Sequence, residues 1–270
     1  MVQEEWTKLA KRIYQYCGID FINQEATLTA KLTSRLQELG LTIHEYLLYL
    51  NSNPAEWDKL IEHITINETY FFREEKALEA FSAILQEYQY RKDTEVLRIW
   101  SAACSSGEEP YTLAMLIKES GLFPRGSVQI VASDIDSKIL EKAQRGRYGK
   151  KSLSFRKMPE VMLRKYFFAT GEDYQINDEL KEMITFRKLN LLEPYLVGKM
   201  EKVDIIFCRN VLIYFDGPVI QKIIHRFADI IKPGGYLFLG HAETIHGTKS
   251  PFETIYQYSA FYYRKGGTPS

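Results

Sequence analysis

Two neighbouring carboxylates, Glu108 and Glu109, open a helix directly after a turn of small residues, Ser101-Ala-Ala-Cys-Ser-Ser-Gly107. Small side chains let a ligand approach the backbone, and helix N-terminal N–H groups point into the space they leave. A pyrophosphate would be repelled by both acids. Gly107 is the single glycine of the turn, so neither a dinucleotide G-x-G-x-x-G nor a phosphate-binding G-x-x-x-x-G-K-[ST] occurs there. The turn suits a ligand with hydroxyls and a positive centre. Asp134 follows at about the distance where nucleotide-binding α/β folds place an acid for two ribose hydroxyls, and Asp136 reads as a helix cap. Asn67, Thr69 and Arg73 lie in the stretch Thr65-Ile-Asn-Glu-Thr-Tyr-Phe-Phe-Arg73. That stretch either packs its aromatics between two domains or sends side chains into a pocket at their junction, a common location for small-molecule sites.

Other chemistries find less support. His44, His63 and His225 fall on expected helices, and His241-Ala-Glu243 offers two metal ligands without a third. No metal site is expected. Cys17, Cys104 and Cys208 are odd in number and far apart, which fits a reducing cytosol better than a disulfide framework. Cys104 sits where a helix N-terminus can lower a thiol pKa, yet it reads as a small packing residue. Thirty-five basic residues balance 35 acidic ones, against a nucleic-acid binder carried by bulk charge. No apolar run reaches membrane-spanning length, and the first residues lack the basic and apolar regions of a signal peptide. The expectation is a cytoplasmic protein without membrane insertion, and a monomer.

The elements that must position these residues fall into two groups. Residues 1–75 read as a small helical domain. Trp6, Leu9, Ile13 and Cys17 make one stripe ended by Gly18, and Leu28, Leu32, Leu36 and Leu39 another ended by Gly40. Thr42-Ile-His-Glu45 is a capping box, and Asn53-Pro54-Ala-Glu56 reads as the cap and first turn of a further helix. A helix through Ala77, Leu78, Phe81, Ile84, Leu85 and Tyr88 and a turn at Lys92-Asp93-Thr94 precede the first strand.

Across 76–270 strands alternate with helices, at 96–100, 128–133, 184–189, 203–208 and 236–240 for the strands, and 108–120, 137–146 and 217–231 for the helices. Such alternation implies a parallel sheet covered on both faces, whose ligands sit beyond the strand C-termini. Those edges hold Ser101–Glu109, Ser133–Asp136, Asn190-Leu-Leu192, Arg209-Asn210 and Gly240-His-Ala-Glu243, all with polar residues. Residues 147–183 interrupt the rhythm with a short helix near 159–166 and a hairpin at 167–176, read as an inserted antiparallel subdomain. Tyr256-Gln-Tyr-Ser-Ala-Phe-Tyr-Tyr263 is expected to add one antiparallel edge strand before a frayed tail, Gly266–Ser270.

A ribose-bearing ligand without phosphates, with an amino-acid end and a sulfonium, is S-adenosylmethionine. Here a resemblance becomes specific. Thr65–Arg73, Trp100-Ser-Ala-Ala-Cys-Ser-Ser-Gly-Glu-Glu-Pro-Tyr111, Ala132-Ser-Asp-Ile-Asp136, Asn190-Leu-Leu192, Phe207-Cys-Arg-Asn-Val-Leu-Ile-Tyr-Phe215 and Lys232-Pro-Gly-Gly235 stand in the order of one family. Across essentially its whole length the chain resembles the chemotaxis-receptor methyltransferases, which esterify glutamates of bacterial chemoreceptors. The resemblance implies a Rossmann-like class I methyltransferase domain with an inserted β-subdomain, behind an all-α domain. It implies S-adenosylmethionine as methyl donor, S-adenosylhomocysteine as product and the receptor's cytoplasmic helical bundle as partner. Asn67, Thr69 and Arg73 would reach the cofactor from the linker, Arg73 towards its carboxylate. Glu108 or Glu109 and Asp134 would serve its charged or ribose end; spacing does not separate the two glutamates. Asn190 and Leu191 would flank the adenine, and Arg209 and Asn210 would close the pocket beside the methyl. Tyr214, with Arg73, is the catalytic candidate, to hold the incoming carboxylate by its hydroxyl; a packed core tyrosine would read the same.

Receptor-modifying members are expected to carry a basic face on the helical domain. Residues 1–75 hold seven basic residues (Lys8, Lys11, Arg12, Lys31, Arg35, Lys59, Arg73) against twelve acids (Glu4, Glu5, Asp20, Glu25, Glu38, Glu45, Glu56, Asp58, Glu62, Glu68, Glu74, Glu75). Only Lys31 and Arg35 share a face of the second helix.

Overall fold

The apolar stripes of the first four helices close on one another. In the computed structural model, which describes residues 2–89, 96–193 and 196–267, α1 (Val2–Cys17) buries Trp6, Leu9, Ile13 and Cys17. α2 (Glu25–Leu39) buries Leu28 and Leu32, α3 (Ile43–Ser52) Tyr46 and Leu50, and α4 (Glu56–Ile64) Leu60, Ile61 and Ile64. These side chains form a core of their own. Thr42 and Glu45 exchange the reciprocal bonds of a capping box at α3. Asn53 departs from expectation. Its Nδ2 donates to Tyr49 O at 2.9 Å, so it satisfies an orphan carbonyl of α3, and α4 begins only at Glu56.

α5 (Glu75–Gln89) lays its stripe, Leu78, Phe81, Leu85 and Tyr88, on the sheet rather than on the helical core. The following strands and helices are β1 (Leu97–Ala102), α6 (Glu108–Ser120), β2 (Val128–Asp134), α7 (Ser137–Arg145), β3 (Arg147–Gly149), α8 (Glu160–Tyr166), β4 (Phe167–Thr170), β5 (Asp173–Ile176), α9 (Asp178–Lys181), β6 (Ile184–Lys188), α10 (Leu196–Lys199), β7 (Val203–Cys208), α11 (Gly217–Ile230), β8 (Ile231–Leu239), β9 (Phe252–Gln257) and β10 (Ala260–Lys265). The expected Lys92-Asp93-Thr94 turn and the tail residues 268–270 lie outside the described residues.

Seven strands form one sheet in the order β6-β2-β1-β7-β8-β10-β9. The first five are mutually parallel, and β10 runs antiparallel to both neighbours. The period of two along a strand sorts side chains to opposite faces. Ile99 joins the core under α5 and α6, whereas Trp100 and Ala102 join the one under α11. Burial on both faces explains why these strands read as near-continuous apolar runs. β1 lies where the strand order reverses, so the crevice beyond its C-terminal end is the expected ligand position.

Two strand expectations need correction. β8 starts at Ile231, not at 236, because a register irregularity opposite Val203/Ile205 lets the Lys232-Pro-Gly-Gly235 run stay in the sheet. The single closing strand is a hairpin, β9–β10, turning at Tyr258 and Ser259 with φ of 54° and 56°. Two-residue hairpin turns need such left-handed dihedrals, usually supplied by Asn or Gly; here neither marks the turn. The interruption after α7 is a separate antiparallel sheet, β3-β5-β4. Tyr148 and Phe167 of that sheet, with Phe155 from the 3-10 turn that follows β3, surround Phe71 of the linker, with ring centroids 5.0–5.4 Å away.

Candidate active site

At the C-terminal ends of β1, β2, β6 and β7 the helical domain closes over a cavity of about 500 Å³. Its floor starts at the turn after β1. Ala103 and Ser105 adopt positive φ (58° and 50°) and Gly107 has φ 91°. A Cβ on Gly107 would stand 2.9 Å from the Ala143 Cβ, so glycine is required for α6 to approach α7. The left-handed residues aim the Ser105 N–H at Asp134 Oδ2 (2.8 Å), while Asp134 Oδ1 accepts from Asp136 N (3.0 Å). Burial pushes the Asp134 carboxyl up to about 6, against the pull of these backbone donors. Asp136 caps α7 through Ile139 N at 3.1 Å and also receives Asn67 Nδ2 at 2.9 Å.

The two acids of the turn part company. Glu109 lines the cavity, accepting from Ser101 Oγ (2.7 Å) and Arg209 Nη1 (3.2 Å). Glu108 is outside it. Its carboxylate is 1% exposed and receives the hydroxyls of Ser106 (2.7 Å) and Ser154 (2.8 Å). Glu108 thus bolts the cofactor-type turn to the inserted subdomain, and Tyr148 adds a second bolt through Ser106 O at 2.7 Å.

Arg209 is 3% exposed and holds two carboxylates, Glu74 at 3.1 Å and Glu109 at 3.2 Å, while donating to Arg73 O at 2.5 Å. One guanidinium faces two carboxylates, so when both are ionised the trio carries net negative charge, which favours a cationic ligand. Burial alone would raise Glu74, yet Arg209, His241 and Asn210 together bring it down to about 2. Glu109 moves the other way: burial pushes its carboxyl up and outweighs Arg209. Glu74 was not marked by sequence. It has φ 58°, a dihedral no residue pattern announces.

The linker divides residue by residue. Phe71 is core, whereas Asn67, Thr69 and Arg73 line the cavity. Arg73 donates to Glu68 O at 3.0 Å and lies over the Tyr70 ring, with no carboxylate partner among the described residues. Asn190 and Leu191 line the opposite wall, and Asn190 Nδ2 reaches Tyr16 O of α1 at 2.6 Å. Tyr14 binds Asp216 at 2.7 Å, a second tie between the helical domain and the sheet edge. Tyr214 also lines the cavity; burial pushes its phenol up and Arg73 draws it back. All ten proposed side chains other than Glu108 therefore converge on one cavity. So do Lys31, marked by sequence only for the basic face of the second helix, and Asp20, Gln24 and Thr27 of the helical domain, which sequence did not single out because each reads as an ordinary surface residue.

The residues fit a methyl-donor nucleoside. Asp134 can accept from ribose hydroxyls, Arg73 has a guanidinium with no carboxylate partner among the described residues, and Asn210 Oδ1 is buried without a hydrogen-bond partner among them. Among the described residues no group of three or more His, Cys, Asp or Glu is placed to hold a metal, and no helix is long and apolar enough to cross a membrane.

Comparison with known proteins gives the same answer independently. Residues 4–65 match the family model "CheR methyltransferase, all-alpha domain", and residues 67–261 match "CheR methyltransferase, SAM binding domain". The chain is 36% identical to chemotaxis protein methyltransferase 2 of Vibrio cholerae over 93% of its length and 89% of the relative's. It is 37% identical to the chemotaxis protein methyltransferase of Escherichia coli K12, over 93% and 90% of the two chains. A similar protein of Borreliella burgdorferi shares 36% identity over 93% and 91%. With a helical domain, a sheet reversing its order at β1 and a cavity between them, this chain belongs to the CheR family of S-adenosylmethionine-dependent methyltransferases.

Proposed function

We propose that the chain transfers the methyl group of S-adenosylmethionine to glutamate side-chain carboxylates of chemoreceptors, forming the methyl esters used in sensory adaptation. One observation carries the reading: a single cavity joins the ribose-type acid Asp134, the carboxylate pair Glu74 and Glu109 sharing one Arg209, and the guanidinium of Arg73, which has no carboxylate partner among the described residues. That is the complement of a ligand with ribose, sulfonium and carboxylate. Relatives named chemotaxis protein methyltransferase support the acceptor class.

In this reading Asp134 accepts from the ribose, Glu109 faces the charged centre, and Arg73 holds the amino-acid carboxylate. Asn67 and Thr69 reach in from the linker, Asn190 and Leu191 flank the adenine, and Arg209 and Asn210 close the cavity beside the reacting group. Bound S-adenosylmethionine supplies an electrophilic methyl on a sulfonium. The acceptor glutamate, with a reference pKa of about 4.3, is already ionised at neutral pH, so the chain need supply no base. Its task is to align one carboxylate oxygen and exclude water, and such alignment contributes roughly 7–11 kcal/mol. Opposite charges merge in the transition state, which a dry cavity favours. Tyr214 holds the incoming carboxylate; a phenol raised by burial stays a donor. Residues 1–75 form the helical domain and 76–270 the methyltransferase domain, working as a cytoplasmic monomer on the helical bundle of the receptor.

The test is tritiated methyl transfer to receptor-containing membranes. Label released as volatile methanol under mild base supports an ester; base-stable label overturns it. The surplus of acids in residues 1–75 favours a second reading, the same chemistry on another carboxylate-bearing signalling protein, which labelling a whole lysate would reveal as a band other than the receptor. Binding of S-adenosylhomocysteine without turnover on any extract would instead mark a docking module.

A further inference from the structure

The strip Asn210–Tyr214 lines the cavity, yet its own sequence does little to hold it. Asn210 lies in the left-handed region (φ 60°), and Val211, ahead of the 3-10 turn Leu212–Tyr214, gives that turn no side-chain cap. The missing bonds come from Glu243, past the end of β8. Its Oε1 accepts from Leu212 N at 2.6 Å and Ile213 N at 3.3 Å. Its Oε2 accepts from Asn210 N at 2.7 Å and Gly240 N at 2.6 Å. One carboxylate thus caps the turn from about 30 residues away, satisfying N–H groups a helix start leaves orphaned, and ties the end of β7 to that of β8. Gly240 leaves room for it, because a Cβ there would stand 2.7 Å from both Asn210 Nδ2 and Glu243 Oε2. The remaining Asn210 donor, Nδ2, goes to Glu74 Oε1 at 3.1 Å. A carboxylate only accepts, so this bond fixes the amide's orientation and leaves Oδ1 as the acceptor without a partner.

We propose that Glu243 is a positioning residue for methyl transfer, holding four backbone N–H groups so that Tyr214 presents its hydroxyl, and Asn210 its carbonyl oxygen, to the cavity. The proposal rests on the reading of Tyr214 as the acceptor-carboxylate holder. Its chemistry needs a carboxylate. Glutamine of the same size keeps one accepting oxygen and turns an NH2 group towards two other donors.

Glu243→Gln and Tyr214→Phe, singly and together, test this through kcat, acceptor KM, S-adenosylhomocysteine affinity and amide exchange over 209–215. At a temperature where all variants are folded, Glu243→Gln should lower kcat about tenfold or more with acceptor KM nearly unchanged. The double variant should fall no more than about twofold below the weaker single one, because residues acting as a unit are not additive. Exchange at Asn210, Leu212 and Ile213 should speed up. A Glu243→Gln enzyme with wild-type kcat, or losses that multiply, overturns the proposal, even if its melting temperature drops. Tyr214→Phe with full kcat overturns the Tyr214 reading and the catalytic part of the proposal with it. If wild type turns over no acceptor, exchange and affinity decide: faster exchange with weaker S-adenosylhomocysteine binding supports positioning, and no change in either refutes it.

Discussion

The two walls of the cavity are built on different principles. On the sheet side, polar groups hold one another: Arg209 between Glu74 and Glu109, Asp134 on two backbone donors, Glu243 across two strand ends. On the helical side the cations are either spent or alone. Arg35, the nearest thing to a receptor-facing arginine, points inward to Glu56 through Nε at 2.8 Å and Nη2 at 2.6 Å, and also pairs with Glu38. Lys31 lines the cavity with no carboxylate partner among the described residues. The difference teaches that the sheet wall is held by its own polar bonds, whereas the helical wall keeps Lys31 without a carboxylate partner among the described residues. Changes at the cofactor-facing acids of the sheet side, Glu109 and Asp134, should act on cofactor binding, and changes on the helical side on stability or on the acceptor alone.

The sharpest way to break that division is Arg35→Ala. Glu56 is 4% exposed and would keep only the Tyr46 hydroxyl at 3.0 Å. Removing one partner of a buried pair costs about 3–5 kcal/mol, so the melting temperature should fall by several degrees. S-adenosylhomocysteine affinity, by calorimetry, should hold in the folded variant. A large loss of affinity would show that the two walls are not independent.

Glu108 and Glu109 sharpen the comparison within a single helical turn. Glu109→Ala should weaken S-adenosylmethionine binding about ten- to a hundredfold, and more than it weakens binding of the neutral thioether S-adenosylhomocysteine, since a bond to a charged group is worth about 1.5–3 kcal/mol. Glu108→Ala should leave affinity in place and lower stability by about 1–3 kcal/mol, because two serine hydroxyls lose their acceptor. Matching losses of affinity in both variants would contradict the separation.

Asp134 gives the pH dependence. Its carboxyl is raised to about 6, so between about pH 4 and that pH the folded protein keeps a proton that the unfolded chain has already released. The stability this contributes is present at pH below about 4 and is lost as pH rises through about 6. Ribose hydroxyls donate best to the ionised form, so S-adenosylhomocysteine should bind about tenfold tighter at pH 7 than at pH 5. Asp134→Asn should bind more weakly and flatten the profile; a profile unchanged in that variant would assign the titration to Glu109, which burial pushes in the same direction.

What sequence could reveal follows from how local each cause is. The turn after β1 and the acid after β2 are written in contiguous residues, and the family blocks carry them. Glu108 and Glu109 were inseparable because their fates are decided at a distance, by Ser154 of the inserted subdomain and by Arg209. Glu74 was invisible for the same reason, its partner Arg209 lying 135 residues on. Glu243 did stand out, as half of a metal pair with His241, but its oxygens face backbone amides and His241 turns to Glu74 instead. The Tyr258–Ser259 turn hid in a run of strand-forming aromatics with no glycine or asparagine to mark it.

Lys31 is the smallest effect and the most direct probe of the helical wall. It is the cation of α2 with no carboxylate partner among the described residues once Arg35 is engaged, and burial lowers its pKa. A partly exposed attraction is worth about 0.2–1 kcal/mol, so Lys31→Gln should raise the acceptor KM at most about fivefold. The effect should shrink in high salt, where exposed charges are screened. Both kcat at saturating acceptor and S-adenosylhomocysteine affinity should stay at wild-type values. A change in cofactor affinity with an unaltered acceptor KM would move Lys31 to the other side of the comparison, because an attraction that served the donor would persist when no acceptor is present.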